Sequence, residues 1–168
     1  GIVHCAGIVK PLPAKFIKRK HIDELMNINF YSSVLINANL LKQKKIIKGA
    51  SIVFISSVSS AHPYHGGAMY VSSKAALEAY SRTLAMETAS KKVRSNCISP
   101  GLVKTPIFNE TEAAATADEM KKYEKQHLLG FGKPIDVANM ITFLLSDASG
   151  WITGQNFVID GGLILGRN

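Results

Sequence analysis

Ser57, Tyr70 and Lys74 are the residues whose types and spacing could do chemistry: Tyr70 follows Ser57 by 13 positions, and Lys74 lies four beyond Tyr70. A tyrosine and a lysine at i and i+4 share one helix face, one turn apart. An unperturbed phenol titrates near about 10, too high for acid–base work at neutral pH. A neighbouring ammonium favours the phenolate and lowers that value, toward the range where general acid–base catalysis is efficient. Ser57, a hydroxyl at a strand end, can hold a substrate oxygen toward the phenol. Ser56, Ser59 and Ser60 compete for that part, and only the spacing to Tyr70 selects Ser57. Asn29, 28 residues before Ser57, can anchor a water in a proton relay to the lysine, with Asn27 as its competitor. An isolated Tyr-x-x-x-Lys pair is better explained as an amphipathic-helix tyrosine beside a solvated lysine. Here Ser57, Asn29 and a Pro100-Gly101 loop stand in register with it, which favours chemistry. His62 and His65 fall between Ser57 and Tyr70 and read as exposed loop histidines. With no matching Cys, Asp or Glu cluster, no metal site is expected.

These residues need elements to position them. Short β-rich runs alternate with longer helical ones, the pattern of parallel βα units. Strands are expected at 1–5, 51–56, 93–99 and 156–160. Their near-continuous Val/Ile/Phe character suits strands buried on both faces. A helix is expected over 22–45, with Leu25, Ile28, Val34, Leu35, Leu40 and Leu41 inward, and a second over 70–89 with Ala75, Ala76 and Ala79 on one side. Pro134 suits the start of another, and the variable segment 105–129 should hold a short helix or two. Ligands of such sheets bind beyond the carboxyl ends of the strands, so the positions to watch follow Cys5, Ser56, Ser99 and Ile159.

Composition sets the bounds. The 168 residues are 46% apolar and 19% charged, with a net charge of +8, ordinary for one globular domain. No apolar run approaches the roughly 20 residues that span a bilayer, and the opening Gly1-Ile2-Val3 lacks the charged leader of a signal peptide. The lysines are scattered without aromatic interleaving, so neither a nucleic-acid nor a membrane partner is expected. Cys5 and Cys97 read as buried free thiols, which fits a reducing cytoplasm.

Further segments line up with the Ser57, Tyr70-x-x-x-Lys74 and Asn29 set: Cys5-Ala6-Gly7, Asn29-Phe30, Ile55 to Val58, Ser73 to Ala76, Val93 to Asn96, Ser99-Pro100-Gly101, Thr105, Gly154-Gln155 and Asp160-Gly161-Gly162. Together they resemble the short-chain dehydrogenase/reductase family across the whole chain. The resemblance implies an α/β doubly wound parallel sheet, a Rossmann-like three-layer sandwich. Here it would lack its first βαβαβα portion, so that 1–168 form the C-terminal two-thirds of a single domain. It implies NAD- or NADP-dependent interconversion of a ketone and a secondary alcohol. Tyr70 would be the general acid/base, and Lys74 would hold ribose hydroxyls and lower the Tyr70 pKa. Ser57 would position the substrate oxygen, and Asn29 would hold a relay water. Cofactor contacts would come from Cys5, Ala6, Gly7, Tyr70, Lys74 and the Pro100, Gly101, Val103, Thr105 loop.

The pattern is closest to 3-oxoacyl-carrier-protein reductases, which implies a small carbonyl or alcohol substrate, carrier-bound in that subgroup, and a homo-tetramer or dimer. A sugar, polyol or steroid alcohol dehydrogenase is the alternative. A non-catalytic cofactor-sensing or scaffold protein is the alternative of another class. Two departures stand out. No Gly-x-x-x-Gly-x-Gly precedes the set, so the chain is read as a fragment short of the loop that faces a pyrophosphate. His4-Cys5-Ala6-Gly7 replaces the usual Asn-Asn-Ala-Gly, so something else must brace the sheet there.

Overall fold

The computed structural model describes residues 1–108 and 116–166. Four strands, β1 (Ile2–His4), β2 (Ser51–Ile55), β3 (Arg94–Pro100) and β4 (Asn156–Ile159), pair in parallel in that order. Each stands within a residue or two of its expected place. The helices are α1 (Arg19–Met26), α2 (Ser32–Lys42), α3 (Ala68–Thr88), α4 (Ala117–Gln126) and α5 (Pro134–Leu145). Of the variable segment, residues 109–115 lie outside the described residues.

Alternation along the strands divides the core into two layers. Ile52, Phe54 and Cys97 join Leu77 and Leu84 of α3 on one side, while Val53 and Ile98 join Leu144 of α5 on the other. Helices on both faces of a parallel sheet make the three-layer α/β sandwich expected from the sequence.

The helix expected over 22–45 differs in form. It is α1 and α2 joined by a five-residue π turn, Asn27–Tyr31. Leu25 is buried as expected, but Ile28 and Leu35 are exposed, and the buried residues of this stretch include Asn29, Ser33 and Asn37. A π turn inserts one extra residue into the ladder, which turns later side chains by about 100° around the axis. The inward face therefore carries Asn29, Ser33 and Asn37 at four-residue spacing, while Phe30 and the expected Leu40 and Leu41 pack against the core beside them. Cys5 also departs from expectation: it stands just past the end of β1 and is exposed, whereas Cys97 is buried and burial pushes its thiol up to about 12.

Polar bonds tie the layers together. Arg94 Nη1 donates to the Leu144 carbonyl (2.8 Å) and Ser149 Oγ (2.7 Å), and Nη2 to the Ser146 carbonyl (3.1 Å). A guanidinium thus satisfies the orphan carbonyls at the negative end of α5. Asn96 locks β3 to the approach of β4, donating to the Ile152 carbonyl (3.0 Å) and accepting from the Gln155 N–H (3.0 Å).

His4 supplies the brace required after β1. Its Nε2–H donates to Asn37 Oδ1 (3.1 Å), and its ring stacks on Phe54 with centroids 4.9 Å apart. Burial lowers the His4 pKa below 6.5, outweighing its bond to Asn37. The folded His4 therefore stays neutral where the unfolded one takes up a proton, and its contribution to stability is lost as pH falls below about 6.5. His4→Gln should flatten the decline of urea-unfolding stability below that pH. An unchanged slope would refute this account.

Candidate active site

Strand β2 delivers the first reactive group. Ser56 N–H donates to the Ile98 carbonyl (2.7 Å), which continues the pairing one residue past β2. Ser57 then leads a 3-10 turn, Val58–Ser60, with its Oγ accepting the Ser59 N–H (3.2 Å). Helix α3 returns over this end. At Gly67, just before α3, a Cβ would lie 2.9 Å from the Tyr64 ring, so glycine lets that ring cover the helix start. Tyr70 is in the first turn of α3 and Lys74 one turn on.

The Ser57 hydroxyl and the Tyr70 phenol stand close enough to influence one another. Burial raises the Tyr70 pKa, and the Ser57 hydroxyl opposes that rise. Lys74 is 4% exposed; burial lowers its pKa to about 8. Its Nζ donates to the Ile55 carbonyl at the end of β2 (2.9 Å) and stands 5.7 Å from the Tyr70 ring centre. Burial is the largest influence on both groups.

Asn29 is fully buried in the π turn. Its Oδ1 accepts the Ile8 N–H (2.8 Å), and its Nδ2 donates to the Ile8 carbonyl (3.0 Å) and Ser73 Oγ (3.1 Å). Ser73 Oγ donates in turn to the Tyr70 carbonyl (2.7 Å). Both amide protons are thus committed. The side chain pins the segment after β1 to α3. Beside it, a Cβ on Gly7 would meet Lys74 Nζ at 3.2 Å and Asn29 Oδ1 at 3.6 Å. Cys5 and Ala6 line the exposed rim just before it.

The second rim follows β3. Gly101 N–H donates to the Ile159 carbonyl (2.9 Å), and a Cβ there would fall 2.9 Å from Asp160 Cα, so only glycine permits this approach. Val103 bridges to Gly132, and the Thr105 hydroxyl donates to the Val103 carbonyl (3.2 Å) while keeping its lone pairs. Asp160-Gly161-Gly162 closes β4, its two glycines at φ 59° and 82°, with Asp160 Oδ1 accepting the Gly162 N–H (2.9 Å).

His127 holds this rim and was not foreseen. It is buried; Nε2 accepts the Leu102 N–H (3.1 Å) and Nδ1–H donates to the Tyr123 carbonyl (2.7 Å). No spacing rule flags a histidine that bonds only to backbone. His65 is exposed and His62 half-buried.

A cavity of about 300 Å³ lies between Gly101, Leu102, Val103, Gly132 and Asp160. Another of about 650 Å³ is lined by Lys104, Phe108, Met120, Lys121, Glu124 and Phe131. Neither is lined by Ser57, Tyr70 or Lys74, which stand at the end of β2, between the rims that follow β1 and β3. Among the described residues, no three His, Cys, Asp or Glu side chains gather where they could hold a metal, and no helix is long and apolar enough to cross a membrane.

Residues 1–164 match the family model described as enoyl-(acyl carrier protein) reductase. The chain is 32% identical over 168 residues to the 3-oxoacyl-[acyl-carrier-protein] reductase FabG of Thermotoga maritima, covering 98% of this chain and 65% of that protein. It is 31% identical over 140 residues to dehydrogenase/reductase SDR family member 4 of Oryctolagus cuniculus, covering 83% of this chain and 54% of the relative. Among solved structures, 4-hydroxyisoleucine dehydrogenase complexed with NADH superposes with a TM-score of 0.90 at 32% identity, over 99% of this chain and 69% of that one. The chain thus spans about half to two thirds of the curated relatives' length.

A buried ammonium tethered by one carbonyl is held at a cost to the fold. With the Lys74 pKa lowered from 10.5 to about 8, the unfolded chain binds more protons than the folded one between those values, and at neutral pH, below both, the folded chain bears the full cost of the buried charge. Lys74→Met should raise stability at pH 7 by about 1–2 kcal/mol, the net of relieved desolvation and the lost Ile55 bond. Urea unfolding reads it, and a loss of stability would show that the tether outweighs the desolvation.

Proposed function

The chain belongs to the short-chain dehydrogenase/reductase family, and from that premise we propose that it interconverts a ketone and a secondary alcohol with NAD or NADP. The observation that carries this reading is the gathering at the end of a central parallel strand of Ser57, of Tyr70, and of Lys74, whose Nζ is held by the Ile55 carbonyl 5.7 Å from the Tyr70 ring centre.

The two rims suit a dinucleotide. Gly7 leaves open the space beside Lys74 Nζ, and Gly101 brings backbone close at the other arm. Cys5, Ala6 and Gly7 would line one side, and Pro100, Gly101, Val103 and Thr105 the other, with Tyr70 and Lys74 between. A bound nicotinamide supplies or accepts the hydride.

The remaining chemistry falls to side chains of this chain. Ser57 Oγ accepts the Ser59 N–H, and its single proton can turn from Tyr70 to a substrate carbonyl oxygen. Tyr70, with its pKa raised by burial, keeps its proton at neutral pH and can give it to the oxygen that becomes the alcohol. Lys74, with its pKa lowered to about 8, can hand on a proton near neutral pH. Asn29 serves by fixing the segment after β1 and Ser73 in place.

The finer reading is a 3-oxoacyl-carrier-protein reductase-like activity, supported by the FabG likeness along nearly the whole chain and by the net charge of +8, which favours acidic partners. A second reading, a dehydrogenase of a small free alcohol, is favoured by the likeness to 4-hydroxyisoleucine dehydrogenase. A homo-oligomer packed through α2 and α3 is supported by the exposed Tyr31, Leu35 and Ile36; gel filtration should place the protein above monomer mass, and a monomer would count against it.

The catalytic reading is tested with Tyr70→Phe. Carbonyl reduction with NADH or NADPH should fall by about 100-fold or more, while nicotinamide fluorescence on titration with each cofactor stays as in the parent. Parent-like turnover in the variant would overturn the acid–base assignment, whereas a parent that binds cofactor without turnover would favour a non-catalytic cofactor-sensing role.

A further inference from the structure

Glu78 lies two helical turns beyond Tyr70 on α3, about 12 Å of helix rise, outside the constellation described above. One of its oxygens, Oε1, meets Ser56 Oγ at 2.6 Å, Ser60 Oγ at 2.5 Å and Ser99 Oγ at 3.2 Å. Ser56 and Ser60 flank Ser57. Each hydroxyl has one proton, so the alternatives must be weighed. Ser60 Oγ also lies 2.8 Å from the Ser57 carbonyl, but that carbonyl already accepts the Ser60 N–H (3.0 Å). Ser56 Oγ is farther from the Lys74 carbonyl, at 3.2 Å. Ser99 Oγ is closer to Asn156 Oδ1, at 2.8 Å. The short contacts to Glu78 have the length of hydrogen bonds to an ionised carboxylate. Ser56 and Ser60 therefore give their protons to Glu78, and Ser99 gives its proton to Asn156.

We propose that Glu78 is a positioning residue of the active site, whose carboxylate grips the hydroxyls on both flanks of Ser57 and so aims the Ser57 hydroxyl at Tyr70. The grip joins the end of β2, the turn after it and α3, the elements that carry Ser57 and Tyr70. Ser57 Oγ accepts the Ser59 N–H, and holding Ser56 and Ser60 fixes the turn that presents this N–H. The proposal rests on the Ser57–Tyr70 pair being the reacting pair, and its test does not use turnover, so the two can fail separately.

The test is the titration of Tyr70 in the cofactor-free chain, followed by NMR of protein carrying tyrosine labelled with ¹³C at Cζ, with Tyr70→Phe assigning the signal. Ser57→Ala should raise the Tyr70 midpoint by on the order of half a unit to one unit, the scale of one hydrogen bond. Glu78→Leu should raise it by a similar amount, and Glu78→Leu with Ser57→Ala by no more than Ser57→Ala alone. Removal of a negative charge by itself favours the phenolate and would lower the midpoint, so the sign separates positioning from plain electrostatics. Glu78→Gln keeps an acceptor oxygen and should restore most of the parent midpoint. If Glu78→Leu does not fold, Ser60→Ala removes one arm of the grip and should shift the midpoint the same way by less. Lys74 and Tyr64, the titratable neighbours of Tyr70, are unchanged in every variant. An unmoved or lowered midpoint in Glu78→Leu, or in Ser60→Ala where only that folds, overturns the proposal.

Discussion

Taking an ammonium out of water costs several kcal/mol unless its protons find acceptors, and at Lys74 the surrounding architecture answers that demand. The Ile55 carbonyl is available because β2 ends there and its last carbonyl points past the sheet toward α3. A Cβ on Gly7 would crowd the amine at 3.2 Å, and glycine there keeps the space beside it open. Asn29 fixes the segment that bears Gly7 by bonding both backbone groups of Ile8. The same amide reaches Ser73, the residue before Lys74. One buried charge thus constrains β1, β2, the π turn and α3 together.

Parallel pairing explains why these parts meet at one end of the sheet. All four strands point the same way, so the segments after β1, β2 and β3 emerge side by side, and each contributes to the rim. The opposite end is bound by different bonds. There Arg94 and Ser51 share the Leu144 carbonyl at the end of α5, a contact that secures a helix and touches no reacting group.

The sequence made the frame and the proposed trio of Ser57, Tyr70 and Lys74 legible, and the reason is geometric. Runs such as Ile52-Val53-Phe54 can be buried on two faces only as a central strand, and Tyr70 and Lys74 are one turn apart in any helix. What stayed hidden depends on contacts between distant segments. The inward face of α2 is Ser33 and Asn37 where apolar periodicity pointed to Leu35, because the π turn shifts the face and no composition rule foretells that turn. The direction of the Tyr70 shift follows from how deeply the phenol is buried, which spacing does not encode. Glu78 and His127 look like ordinary helix and loop residues until their partners, three serine hydroxyls and two backbone groups, are brought to them by the fold.

Among the described residues strand β4 is an edge of the sheet, and half-exposed Val158 lies on it. An open edge invites a strand from another molecule, the first step toward aggregation. Here the invitation is short. The strand is four residues long, and the chain then turns at once through two glycines in left-handed conformation, with Asp160 holding the turn by accepting the Gly162 and Ile164 N–H groups. The turn that brings Asp160 against Gly101 at the rim after β3 thereby also blunts the edge, leaving an incoming strand too little ladder to hold its register.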